Sequence, residues 1–173
     1  QQLEQPQRGS HPEGSDVAAL TYLLDGHPTM PEAKGLFLGV TRRLHPAICQ
    51  FTSEIFYEGR LKSLPGLDKQ LIRGNFPFDG AGLFYVPVAH KGNQNKASEE
   101  VKAIAAIVAK FLSGAQWTNS KGETQPLQKE DILIVAPYNA QVAEKKKKLP
   151  GMRIGTVDKF QGQEAPVVSY SMT

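Results

Sequence analysis

Short apolar runs alternate with amphipathic stretches along most of this chain. Leu36 to Val40, Gly82 to Val88, Ile132 to Ala136, Met152 to Val157 and Val167 to Tyr170 are compact apolar segments of strand length. Between them the polar and apolar positions take on helical spacing. Ser15 or Asp16 can cap a short helix from Val17 to Leu24, closed by Gly26 and Pro28. His45-Pro46 opens a second helix, because proline at the first turn gives up an N–H that has no partner there. Its predicted apolar stripe is Ile48, Thr52, Ile55 and Phe56, and Gly59 ends it. Ser98 is read as the cap of a third helix, with Glu99 and Glu100 suited to its first turn and a stripe through Val101, Ile104, Ala105, Val108 and Phe111 or Leu112. A fourth runs over Asn139–Lys147. Near-continuous apolar strands alternating with amphipathic helices predict an α/β layer fold with a mainly parallel sheet.

The rest of the chain is punctuation. Residues 1–16 are rich in Gln, Pro, Gly and Ser and read as loop, as do residues 60–80 and 113–128. Trp117 lies in the last of these and is expected at an exposed loop tip.

Composition changes this picture little. The 173 residues suit one domain, or one with part of a neighbour, and no apolar run approaches the ~20 residues that span a bilayer. No signal peptide is recognisable, and a cytoplasmic setting is the expectation. One cysteine, Cys49, excludes an internal disulfide and a cysteine-based metal site, and it falls among apolar residues as a small buried side chain. The four histidines have no ligand spacing. A formal net charge of +3 permits nucleic-acid binding without arguing for it. The one dense patch, Lys145-Lys146-Lys147-Lys148, reads as a solvated helix end complementing the macrodipole.

Candidate chemistry concentrates in Gly155-Thr156-Val157-Asp158-Lys159-Phe160-Gln161-Gly162-Gln163-Glu164. Three other segments matter: Thr41-Arg42-Arg43-Leu44-His45-Pro46, with Phe56-Tyr57-Glu58-Gly59-Arg60-Leu61 downstream; Asp131 to Gln141, which contains Ala136-Pro137-Tyr138-Asn139-Ala140-Gln141; and Gln1-Gln2-Leu3 at the start. Taken in their order along the chain, they resemble superfamily 1 helicases of the Upf-like and Dna-like branch that moves 5′ to 3′. The first is similar to motif V, the second to Gln-Tyr-Arg-Met-His-Pro followed by Phe-Tyr-x-Gly-x-Leu, the third to Thr-Pro-Tyr-x-x-Gln, and the last to the end of motif III.

The resemblance implies a RecA-like fold and assigns roles by position. Arg43 would be the arginine finger that reaches a γ-phosphate across a cleft between two lobes, where a guanidinium neutralises charge building on the phosphoryl oxygens. Gln2 would sense the same phosphate. Arg42 stands where the family has an aromatic against the nucleotide base, and a guanidinium plane can also stack. Thr41 replaces a glutamine and Ala136 a threonine. Gln161, Gly162 and Glu164 would face the nucleotide, Gly162 by allowing close backbone approach and Glu164 by accepting from ribose hydroxyls. Thr156, Asp158 and Lys159 would face the nucleic-acid backbone, joined by Pro137, Tyr138 and Gln141 at a strand-to-helix turn whose N–H groups suit a phosphate.

No Gly-x-x-x-x-Gly-Lys-Ser/Thr loop occurs, and no apolar strand ends in an Asp-Glu pair. The resemblance therefore implies an excised piece centred on the second motor lobe. On this expectation residues 1–33 are the end of motif III and a linker, and residues 34–173 are the lobe, stopping before motif VI. ATP and Mg²⁺ would be bound mainly by a first lobe elsewhere, which is the expected protein partner. The other partner is single-stranded nucleic acid, with DNA preferred to RNA, and no metal site is assigned to the chain itself. Alone, the piece is expected to be inactive. Two other readings stand beside this one: a RecA-like module that binds nucleic acid or partners without a motor, and the helicase part of a fusion with a RecB-like nuclease, although no Asp…Glu-x-Lys constellation is present here.

Overall fold

The structure, a computed structural model, describes residues 19–74 and 77–173. The chain forms two compact units that divide after Leu67.

In the first unit, α1 spans Ala19–Leu24 and stops where Asp25 and Gly26 both take positive φ. A two-residue parallel pair follows, β1 (Val40–Thr41) with β2 (Lys62–Ser63). Between them lies α2, Pro46–Phe56, with Pro46 in its first turn as expected. The His45 side chain caps it, Nδ1 accepting from the Ala47 N–H at 3.1 Å. Glu58 and Gly59 turn left-handed just beyond it, and the Gly59 N–H returns to the Ser53 carbonyl at 2.9 Å. Phe37 packs beside Tyr57 and under the Arg60 guanidinium, which lies 4.5 Å from its ring centre. Buried Thr29 bonds to both Glu58 and Arg60.

Two expectations fail in this unit. Only Val40 of the run 36–40 pairs in a ladder, and Leu36 is 84% exposed. An extended apolar run becomes a strand only where a neighbour supplies hydrogen bonds. The stripe of α2 is also rotated. Ile55 and Phe56 are 55% and 53% exposed, and the buried positions are Cys49 and Ser53. Small side chains let the helix approach the returning chain closely, and the buried Cys49 thiol donates to the Leu61 carbonyl at 3.7 Å.

The second unit holds two sheets. An antiparallel sheet is built from β3 (Leu71–Arg73), β4 (Gln116–Thr118) and β5 (Thr124–Pro126), in the register Ile72↔Trp117 and Trp117↔Gln125. The tight connection closes on Asn119, whose Oδ1 accepts from the Lys121 and Glu123 N–H groups. Trp117 is therefore not a loop tip: it lies half-buried against the core, with its indole N–H buried and without a partner among the described residues.

The other sheet is parallel, in the order β7 (Arg153–Gly155), β6 (Ile132–Val135), β8 (Val167–Tyr170). All four β6 residues are buried, as a central parallel strand requires. Helix α3, Ser98–Leu112, contributes Ile104, Val108 and Phe111 to the core, joined by Ile134, Ile154 and Val142 of α4 (Asn139–Lys148). The expected α/β architecture with parallel sheets is present, and the hairpin sheet is an addition to it.

Gly82 to Val88 forms no strand, and Leu83, Phe84, Tyr85 and Val86 are exposed. The segment docks instead through an edge-on contact of Phe84 with Phe78 at 5.5 Å, and Phe78 in turn lies 5.8 Å from Phe111. Ser98 is the first helical residue rather than the cap. Ala97 occupies the cap without a side-chain bond of its own, and it is held from across the unit by Gln141.

Candidate nucleotide and nucleic-acid interface

Parallel α/β sheets bind ligands outside the carboxyl ends of their strands. Here β6 and β7 end side by side: Val135 pairs with Gly155, and the Ala136 N–H reaches the Gly155 carbonyl at 3.1 Å. Pro137-Tyr138 and Thr156-Val157 therefore leave the sheet as neighbours. Tyr138 is 49% exposed, and α4 starts behind it without a side-chain cap, so its first N–H groups are left to other acceptors.

After β7 the chain makes a 3₁₀ turn over Asp158–Phe160 and a loop through Glu164. Thr156 is half-buried. Asp158, Lys159, Gln161, Gly162 and Glu164 are exposed. Gly162 has φ +79°, a value that side chains resist, and open space where a Cβ would stand. Gly155 has the opposite reason to be glycine. An added Cβ would stand 2.7 Å from Lys159 Cδ and 3.2 Å from its Cβ and Cγ, so the Lys159 stem lies across Gly155. Backbone bonds stiffen the loop, with Phe160 N–H to Val157 and Gln163 N–H to Phe160 at 3.0 and 2.9 Å.

Two residues to which the sequence expectations gave no role shape this loop. The Arg153 fork donates through Nη1 to the Glu130 carbonyl and through Nη2 to Gln163 Oε1, both at 2.7 Å. Gln163 Nε2 then donates to the Lys159 carbonyl at 3.2 Å. A faint signal existed, since residues two apart on a strand share a face and Arg153 precedes Gly155 by two.

Gln141 is not a surface contact. It is 0% exposed, and its amide accepts from the Ala97 N–H (2.9 Å) and donates to the Ala97 carbonyl and Ser171 Oγ (both 3.2 Å). No atom of it remains for a strand of nucleic acid; it ties α4 to the start of α3 and the end of β8. Ser171 Oγ passes a bond to Glu100, and Thr173 Oγ1 donates to the same carboxylate at 2.8 Å. Burial alone would raise the Glu100 carboxyl, but bonds from Ser171 and Thr173, with Lys145 nearby, hold it below its ordinary value.

Lys145 overturns the expectation of a solvated lysine run. It is 0% exposed and its ammonium has no hydrogen-bond partner among the described residues, whereas Lys146, Lys147 and Lys148 are exposed. Burial pushes it down to about 8, against the opposing pull of Glu100.

Arg42 and Arg43 belong to the first unit and are exposed. Their turn is fixed at both ends: the Arg43 N–H donates to Thr41 Oγ1 at 3.3 Å, and Ser63 Oγ donates to the Leu44 carbonyl. Gln2 lies outside the described residues. Among the described residues no group of His, Cys, Asp or Glu could hold a metal ion, and no helix is long and apolar enough to cross a membrane.

A family described as an AAA domain matches residues 19–173. Similar proteins include DNA polymerase alpha-associated DNA helicase A of Schizosaccharomyces pombe, 26% identical over 155 residues (79% of this chain, 22% of the relative). DNA-binding protein SMUBP-2 of Rattus norvegicus is 27% identical over 149 residues (76% of this chain, 14% of the relative). Helicase SEN1 of Saccharomyces cerevisiae is 26% identical over 155 residues (78% of this chain, 6% of the relative). The chain thus spans 22% or less of the length of these relatives.

Proposed function

This chain belongs to the AAA domain family, and from that premise we propose that it is the second motor lobe of an ATP-dependent helicase. Its helicase relatives make it a helicase-type domain; the assignment to the second lobe, and the roles within it, are our reading. The observation that carries this reading is the paired exit of Pro137-Tyr138 and Thr156-Val157 at the carboxyl edge of the parallel sheet, beside an exposed glycine loop. One edge then meets both ligands that a motor must couple.

In this reading Thr156, Lys159 and Tyr138 meet the backbone of a single strand, with DNA preferred to RNA. Asp158 orients neighbouring donors, and Gln161, Gly162 and Glu164 meet the nucleotide. Arg42 stacks on the base. Gln141 serves from behind, by holding the turn that carries Tyr138. Gln2 senses the γ-phosphate, and Arg43 stabilises the charge that develops on it. ATP and Mg²⁺ are held by the first lobe, and a cytoplasmic setting goes with this assignment.

The test is ATPase activity of the full-length protein carrying this chain, with and without single-stranded DNA or RNA. We expect stimulation by the strand, and a loss of about 10³-fold or more in Arg43→Ala, the scale of an arginine finger. An inactive wild type would refute the motor and favour a module that binds without turnover. An active wild type indifferent to Arg43 would refute the finger alone. Mg²⁺-dependent turnover by residues 1–173 in isolation would contradict the division of labour between lobes.

A further inference from the structure

We propose that Arg153 is a positioning residue for the nucleotide-facing loop, acting through Gln163. This rests on the motor-lobe reading above. The guanidinium spans two parts of the second unit that are far apart in sequence. One arm holds the Glu130 carbonyl, in the 3₁₀ turn (Lys129–Asp131) that leads into β6; the other holds the Gln163 side chain, in the loop after β7. Both bonds are 2.7 Å, short for N–H···O and typical of a charged donor.

The brace continues past Gln163. Its amide is oriented by Arg153 at the oxygen and delivers its N–H to the Lys159 carbonyl. The same residue's backbone N–H is bonded to Phe160. The segment 159–163 is thus closed on itself and anchored to the sheet by one side chain. Gln161 and Gly162 lie inside that closed segment and Glu164 is the next residue after it, so their geometry depends on it. Gly162 in particular is left-handed, with open space where a Cβ would stand. A flexible glycine that must present its backbone to a ligand has to be ordered from its flanks, and the Arg153–Gln163 pair does this.

Arg is suited to this task and Lys is not. Two acceptors in different directions need a planar fork with several donors, and a single ammonium on a flexible stem cannot serve both at this geometry. The chain places this arginine two residues before Gly155, on the face of β7 that Lys159 crosses, so the anchor and the strand-facing lysine sit over one patch of sheet.

Two readouts on the full-length protein test the inference, with Arg153→Ala, Arg153→Lys, Gln163→Ala and the double Arg153→Ala/Gln163→Ala variant. Hydrogen exchange should quicken in a peptide covering residues 158–165 and not in the hairpin at residues 118–124. KM for ATP in the strand-stimulated ATPase should rise roughly fivefold, with kcat within about twofold, because the loop binds rather than reacts. Arg153→Lys should be impaired like Arg153→Ala, and the double variant should be no worse than either single change, as coupled groups behave. Unchanged exchange at residues 158–165 overturns the brace whatever the activity. Faster exchange with KM unchanged, or additive losses in the double variant, overturns the positioning role. A wild type without ATPase activity refutes the motor reading instead, and the exchange result still decides whether the brace exists. If Arg153→Ala does not fold, Gln163→Ala, at an exposed position, answers both readouts.

Discussion

Replacing Lys145 by methionine should stabilise the protein at neutral pH. The ammonium is fully buried on α4 with no hydrogen-bond partner among the described residues, and its proton affinity falls from an ordinary 10.5 to about 8. That gap of about 2.5 pH units, at 1.36 kcal/mol each, sets the cost of carrying the charged form in the fold at about 3 kcal/mol. The figure already includes the compensating attraction of Glu100, whose carboxylate keeps its bonds from Ser171 and Thr173 in the variant but loses a nearby cation. Methionine fills a similar volume without charge. A net gain of about 1–3 kcal/mol is expected, or about 2–4 °C in Tm per kcal/mol for a chain of this size. The sign in pH follows from proton counting. Below pH 8 both folded and unfolded chains hold the proton, so the full cost is present. Between pH 8 and 10.5 only the unfolded chain holds it, and wild-type stability rises relative to the variant. The assay is chemical denaturation of both proteins at pH 7 and at about pH 10. A variant less stable than wild type at pH 7, or a difference that does not shrink with rising pH, would refute the account of Lys145 as a buried charge whose burial outweighs the attraction of Glu100.

Two further substitutions separate holding from contacting. Gln141→Ala should cost about 2–4 kcal/mol in denaturant unfolding, since it strands the buried Ala97 N–H, removes a donor to Ser171 Oγ and opens a void; unchanged stability with weakened strand binding would return Gln141 to the surface role. Gly155→Ala places a methyl 2.7 Å from Lys159 Cδ and must displace that side chain. Single-strand affinity should fall several-fold, and its log–log salt slope should shrink by about 0.7, the share of one phosphate contact. An unchanged slope would remove Lys159 from the strand.

What could be read from the chain alone follows the balance of local and distant causes. Ile132 to Val135 is apolar on both faces and sits at the sheet centre, where period and burial agree. The α3 stripe through Val101, Ile104, Val108 and Phe111 is likewise written in one helix. The run Leu83 to Val86 carries the same local signal as β6, yet it has no ladder partner, because strand pairing is decided by the neighbour and not by the segment. Helix α2 failed in a subtler way. Ranking side chains by apolarity chose Ile55 and Phe56, while the fold chose the small Cys49 and Ser53 that permit close approach. In the lysine run, Lys145 lies four residues after Gln141 and three after Val142, so helical spacing placed it inside; a block of like charges masked that period.

The candidate site shows the same division within a single motif. Gly155 ends β7 and Gly162 lies in the loop after it, and the residue type alone does not say why each is glycine. Gly162 is a conformational requirement, left-handed with open space around it, so a side chain there is strained but unopposed. Gly155 has no such backbone and is a steric requirement, because the Lys159 stem occupies the volume of its missing side chain. In the proposed reading, one glycine lets the loop turn toward a nucleotide, and the other lets a lysine lie flat over the sheet toward a strand. The two functions proposed for this loop therefore depend on different physical properties of the same residue type. Substitution at each should impair one of them first: nucleotide binding at Gly162, and strand binding at Gly155.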